Sequence, residues 1–325
     1  YSSAIFPSLV APQNEVLKKL KDYKEVITNE NPDYLMVFMR IPYSKKTAKE
    51  YAAEVATIVR EYESYWFMPI LVFEPSQNAS LEKIKNWECD MFISQFFSHL
   101  SSVYKISEQQ LGILVPYPEI NTPAFDRTQF SPSDFSTIYN NFFVLARAYY
   151  PNLRWSILLD SKSYTDEEWS NWEYRSLLPY LEGIEKTYVQ SFWLQWFPWM
   201  SEDGKIKLFS MRFILPMSLI QEASQALWTK KIWLNTGTIG RMYSPEMRIS
   251  PSERLQLLNS LVMYMRVLKL RWYTPFANIF SQNNLALESE NTDWSYTQSK
   301  EDLMALWEFM KRVHKSSLKV GFYDQ

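Results

Sequence analysis

Six glycines, one cysteine and two histidines in 325 residues leave little room for several common chemistries. The single cysteine, Cys89, rules out an internal disulfide framework and a cysteine-based metal site, and a buried or half-buried thiol is the expectation for it. His99 and His314 fall in separate helix-like stretches, so neither a Ser-His-Asp relay nor a histidine-held metal is expected. With so little glycine there is no GxGxxG and no P-loop, which disfavours a nucleotide cofactor. No apolar run approaches the roughly 18 residues of a membrane span. Lys and Arg number 34 against 36 Asp and Glu, a net charge of −2, with no basic stripe or acidic tail. Neither nucleic acid nor an anionic membrane is therefore an expected partner. No metal and no cofactor is expected, and the oligomeric state is not legible.

What the chain has in quantity is apolar and aromatic surface. Apolar residues make up 46% and aromatics 17%, with 13 Trp and 21 Tyr. Buried aromatics dominate core energetics, so much of this is core. Sugar-binding clefts draw on the same residues, because the CH-rich faces of sugars stack on aromatic rings. The expected organisation is one domain over residues 1–325, with a lead-in at 1–30 and a C-terminal helix at 299–315. The start at Tyr1 without Met suggests a removed leader, and Asn78-Ala79-Ser80 fits a glycosylation acceptor. Together they give the expectation of a secreted or cell-surface protein.

Eight short apolar runs punctuate the sequence: Tyr34–Ile41, Pro69–Phe73, Met91–Phe97, Gly112–Val115, Trp155–Leu159, Tyr188–Trp196, Ile232–Leu234 and Phe276–Phe280. The third has no clean alternation and could be helical, in which case the count needs a strand elsewhere. Helix candidates are Ala48–Tyr65, Pro132–Tyr149, Asp166–Leu181, Met217–Trp228, Pro251–Leu268 and Ser299–Lys315. Ser131-Pro132 and Ser250-Pro251 each supply an N-cap followed by proline at the first helical position, with Asp134 and Glu253 in the next turn. Strand and helix alternating over this length predict an α/β fold, a closed (β/α)8 TIM barrel.

Such a barrel brings the residues after each strand to one rim. Those residues are Glu74, then Glu119 and Asn121 after the fourth run, Asp160, and Gln195, Trp196 and Trp199 around the end of the sixth. Asn235 and Thr236 follow the seventh run, and Gln282 the last. Carboxylates, amides and tryptophans on one rim are the equipment of a glycoside site. Asp and Asn also serve as caps and turn residues, so position alone decides none of them.

From Met68 to Phe125 the chain reads MPILVFEP, SLEKIKNWECDMFISQFFSHL and LGILVPYPEIN. This resembles glycoside hydrolase family 26, the β-mannanases and related β-glucanases. Glu74-Pro75, Asp90 and Glu119-Ile120-Asn121 stand where that family has Glu-Pro, a Tyr-Asp turn and the segment ending in its acid. The resemblance implies Glu119 as general acid/base, with Asn121 orienting it or binding a hydroxyl. It implies a polysaccharide or oligosaccharide partner of mannan or glucan type, and the strand-end residues Glu74, Gln195, Trp196, Trp199, Asn235, Thr236 and Gln282 are the candidates to bind it.

Departures from the pattern bear on activity. Val115 and Pro118 stand where the family has Arg and His beside the acid. Its nucleophilic Glu lies on the seventh strand, where this chain reads Ile232-Trp233-Leu234-Asn235-Thr236-Gly237. An amide or a hydroxyl there does not supply the carboxylate that an oxocarbenium-like centre requires. Glu246 on the following loop, Asp160 acting through a water, or a nucleophile from the substrate would restore hydrolysis. Without one of these the chain is a carbohydrate-binding pseudoenzyme. A surface scaffold for protein contacts is the reading from a different class.

Overall fold

The computed structural model describes residues 34–41, 46–64, 68–75, 81–105, 113–116, 131–160, 178–195, 214–236, 251–280, 308–309, 311–313, 315–316 and 319–324. Its strands are β1 Tyr34–Ile41, β2 Met68–Pro75, β3 Ile113–Pro116, β4 Arg154–Asp160, β5 Val189–Gln195, β6 Lys231–Thr236, β7 Thr274–Phe280 and β8 Lys319–Asp324. Each pairs in parallel with the next, and β8 pairs back onto β1, closing the expected (β/α)8 barrel. The described helices are α1 Ala48–Ser64, α2 Leu81–Lys85, α3 Asp90–Val103, α4 Pro132–Arg147, α5 Leu178–Glu182, α6 Ile214–Leu227 and α7 Pro251–Leu270.

Two expectations change. Met91–Phe97 is not a strand but part of α3, where Ile93, Phe96, Phe97 and Leu100 form one buried face. Their spacing of three and four residues is helical, and it outweighs the apolar density of the run. The eighth strand is KVGFYD, beyond the last helix candidate. Strand numbers therefore shift by one: Glu119 follows the third strand, and Asn235 and Thr236 end the sixth.

Alternation along the strands separates two cores. Phe73 on β2 packs edge-on to Phe96 of α3, and Trp155 on β4 stacks on Phe143 of α4 with centroids 3.9 Å apart. These residues, with Met39, Ile41, Leu71, Ile157, Phe192, Ile232 and Leu234, seal the barrel to its helices. The alternate set is also buried and lies inside: Ile70, Val72, Leu158, Trp193 and Trp233. Within it, Trp193 stacks on Trp233 at 5.0 Å and Trp233 on Phe276 at 4.6 Å, following the β5–β6–β7 register. Beside this aromatic ladder Ser156 and Ser191, paired in register and hydrogen-bonded to each other, keep the β4–β5 interior small. Large residues against small ones let one barrel layer fill without voids.

Local chemistry fixes the helix ends. Ser131 Oγ accepts from the Asp134 N–H at 3.1 Å, and the Ser131 N–H donates to Asp134 Oδ2 at 3.1 Å, a capping box that opens α4. Lys85 Nζ lies 2.9 Å from Asp134, and this cation, with the Ser131 hydrogen bonds, holds the Asp134 carboxyl below its ordinary range. Gly183 ends α5 against α4: a Cβ there would meet Ser136 Oγ at 2.6 Å and Ser136 Cβ at 2.7 Å. Asn140 ties this close approach, donating to the Gly183 carbonyl at 3.1 Å and accepting from the Glu185 N–H at 2.9 Å. Gly183→Ala is expected to cost about 1–3 kcal/mol by overpacking, read as a lower urea midpoint; no change would mean that α5 shifts freely.

With glycine scarce, three helices end on tryptophan instead. Trp87, Trp228 and Trp272 have φ of 65°, 55° and 66°. Each lies at the left-handed position of a Schellman turn. The Trp228 N–H donates to the Gln225 carbonyl and the Thr229 N–H to that of Ser224. Trp272 and Tyr273 donate likewise to Lys269 and Leu268, and Trp87 and Glu88 to Ile84 and Lys83. A residue with a Cβ pays roughly 1–2 kcal/mol for this conformation.

Candidate functional site

The alternation that buries Trp193 and Trp233 extends to the C-terminal strand ends. Two residues beyond Leu158, Trp193 and Trp233, the inward register holds Asp160, Gln195 and Asn235. These three stand side by side across β4, β5 and β6, and Asn278 of β7 pairs with Asn235. On β2 the register after Ile70 and Val72 reaches Glu74, opposite Arg40 of β1. The backbone thus collects Arg40, Glu74, Asp160, Gln195, Asn235 and Asn278 on one rim. Thr236 belongs to the other register, that of Ile232 and Leu234, which face the helices. Glu119, Asn121, Trp196, Trp199, Glu246 and Gln282 lie outside the described residues, as does Asn78-Ala79-Ser80.

Two rim positions were missed from the sequence. Arg40 lies inside an apolar run instead of after it, and Asn278 precedes the polar residues that drew attention to Gln282. Register through the closed ring identifies both, and that closure is not visible one run at a time. The shift in strand number also moves the nucleophile question. The seventh strand is Thr274–Phe280, and no carboxylate occurs in it or in β6.

Other polar residues turn out to be structural. Asp90 opens α3 in the helical layer, where Asn141 Nδ2 donates to both of its oxygens at 3.0 and 2.9 Å. Burial raises its pKa, against the Asn141 bonds that lower it. Cys89 is buried, and burial followed by the charges of Asp90 and Glu88 pushes its thiol up. Trp193 fills the barrel interior. Among the described residues, no three His, Cys, Asp or Glu side chains are grouped as a metal site requires. No described helix is long and apolar enough to cross a membrane.

Solved structures place this architecture. An exo-β-1,4-mannosidase from Opitutaceae bacterium strain TAV5 superposes with a TM-score of 0.65 at 11% identity, covering 94% of this chain and 57% of that one. The shared fold is the closed (β/α)8 barrel. Fungal β-1,4-galactanases match at a TM-score of 0.59 and 12% identity, over 91% of this chain and 96% of theirs. A family 1 β-glucosidase from Thermotoga maritima matches at 0.57 and 8%, over 94% and 87%. This chain thus spans little more than half the length of the mannosidase. No protein-family model matches the chain, and no curated protein does at significant similarity.

Proposed function

We propose that this barrel acts on a β-linked polysaccharide of mannan or glucan type, with Glu119 as general acid/base and Asp160 as its partner carboxylate. One observation carries the reading: a closed barrel of the hydrolase kind gathers Glu74, Asp160, Gln195 and Asn235 at the ends where barrel enzymes perform their chemistry. Amides there bind sugar hydroxyls, and the carboxylates move the proton and stabilise the cationic transition state. Asp160 ends β4, the strand next to the one that leads to Glu119, which makes it the natural base for a water. Glu246 is the other carboxylate for that role. The specific likeness to family 26 rests on the Glu74-Pro75 and Glu119-Ile120-Asn121 segments, and a secreted or cell-surface location accords with a polymeric substrate.

A second reading has its own support. The amides Asn235 and Asn278 stand on β6 and β7, where the resemblance calls for a glutamate. On this reading the chain binds the polysaccharide without cleaving it. Incubation with mannans, glucans and xylans, followed by reducing-end analysis and affinity electrophoresis, separates the two. New reducing ends from one polymer establish hydrolysis. Retardation without products establishes the binder, and the absence of both overturns the sugar site.

A further inference from the structure

The opposite end of the barrel carries a feature that sugar hydrolysis does not use. Trp228 lies between α6 and β6 and is 76% exposed; Trp272, between α7 and β7, is 82% exposed, as is Leu270 at the end of α7. β6 and β7 are neighbours, and the Thr274 N–H donates to the Lys230 carbonyl at 2.8 Å, so the two tryptophan turns enter adjacent strands side by side. Their turns are of the kind that glycine closes without strain, and so give no reason for tryptophan. Three large apolar side chains are left to water on one edge.

Their surroundings are cationic. Lys230, Lys231, Lys269 and Arg271 are exposed about these turns, and Lys186 Nζ stands 5.1 Å over the Trp228 ring. The acids nearest Lys186 in sequence are Glu182 and Glu185, on the α5 side, and Glu185 accepts from the Thr187 N–H at 3.0 Å. These cations are dispersed along the chain and form no basic run. Folding gathers them, although the chain as a whole is nearly neutral.

We propose that this end of the barrel docks on an anionic lipid bilayer. Indole rings settle at the headgroup level, where one edge is apolar and the other wet. Lysine and arginine answer the lipid charge, and an apolar anchor plus a basic patch is the pair of signals that makes peripheral attachment stable. A neutral glycan fits less well: it offers nothing to the cations, and Leu270 has no flat face on which a sugar could stack. Docked this way, the C-terminal rim faces away from the membrane. The net charge of −2 gives no reason to expect an anionic membrane, and the proposal rests on this local patch instead.

Flotation of the full chain with vesicles tests this. The protein should recover at least tenfold better with phosphatidylcholine vesicles containing roughly 30% phosphatidylglycerol than with phosphatidylcholine alone, and about 0.5 M salt should reduce the recovery. The double variant Trp228→Gly/Trp272→Gly should lose at least tenfold in recovery while its Tm stays level or rises, because glycine suits both turns. Lys230→Glu/Arg271→Glu should lose recovery as well. Equal recovery on neutral vesicles, no recovery of the wild type, or full recovery of the double glycine variant overturns the proposal. So does retardation in mannan, glucan or pectin gels that the glycine variant loses while vesicles go unbound, which would assign the surface to a polysaccharide.

Discussion

Glu119→Gln is expected to lower turnover of the responsive polysaccharide by about 10²–10⁴-fold, the range for losing a general acid, with little change in binding. The amide keeps the size and much of the hydrogen bonding of the acid but has no proton to give the departing sugar oxygen. The loss should shrink on an aryl glycoside whose leaving group departs without protonation, and that contrast separates an acid from a binding residue. Asp160→Asn should impair both substrates, since it removes the base that activates water in either case. Kinetics of the two variants on the two substrates check the assignment. If Glu119→Gln leaves turnover intact, the acid lies elsewhere. An equal loss of affinity and turnover would make Glu119 a sugar-binding residue only.

Trp233→Ala should destabilise the barrel by about 3–5 kcal/mol, the range for deleting a large buried aromatic. Trp233 is 1% exposed and is the middle member of the ladder that runs from Trp193 to Phe276. Removing it opens a cavity in the barrel interior and strips both neighbours of a stacked partner. Asn235 lies two residues further along the same strand, so the rim loses support along with the core. Urea unfolding followed by fluorescence checks the magnitude, and near-UV circular dichroism should lose the signal of the coupled indoles. A change below about 1 kcal/mol would mean that the interior collapses onto the gap.

Much of this fold is legible in the sequence where the local pattern and the tertiary need agree. β1 coincides with its apolar run at both ends, and α4 begins where Ser131-Pro132 and Asp134 mark a cap. α3 was ambiguous because a seven-residue window shows its apolar density but hides the return of Leu100 seven residues after Ile93. β8 escaped because Lys319, Gly321 and Asp324 break up its apolar character, and pairing with β7 and β1 supplies what propensity lacks. The rim was partly legible: polar residues at strand ends stand out, but a one-residue step decides which register each occupies. That step divides Asn235 from Thr236, and only ladder pairing resolves it. The tryptophan-closed turns left no trace, since the usual sign of a left-handed position is glycine.

One ladder differs from the others in the ring. Among the described residues β3 meets β4 at only two paired positions, Ile113 with Arg154 and Leu114 with Trp155, and the next ladder shifts register between Trp155 and Ser156. By contrast, β6 and β7 share six. A closed hoop yields at its least-fastened joint, so any breathing of the barrel concentrates there. Asp160 ends β4 on one side of that joint, and in the sequence Glu119 follows β3 on the other. On the proposed assignment, the spacing of these two carboxylates, which sets the stereochemistry of cleavage, would answer to this seam.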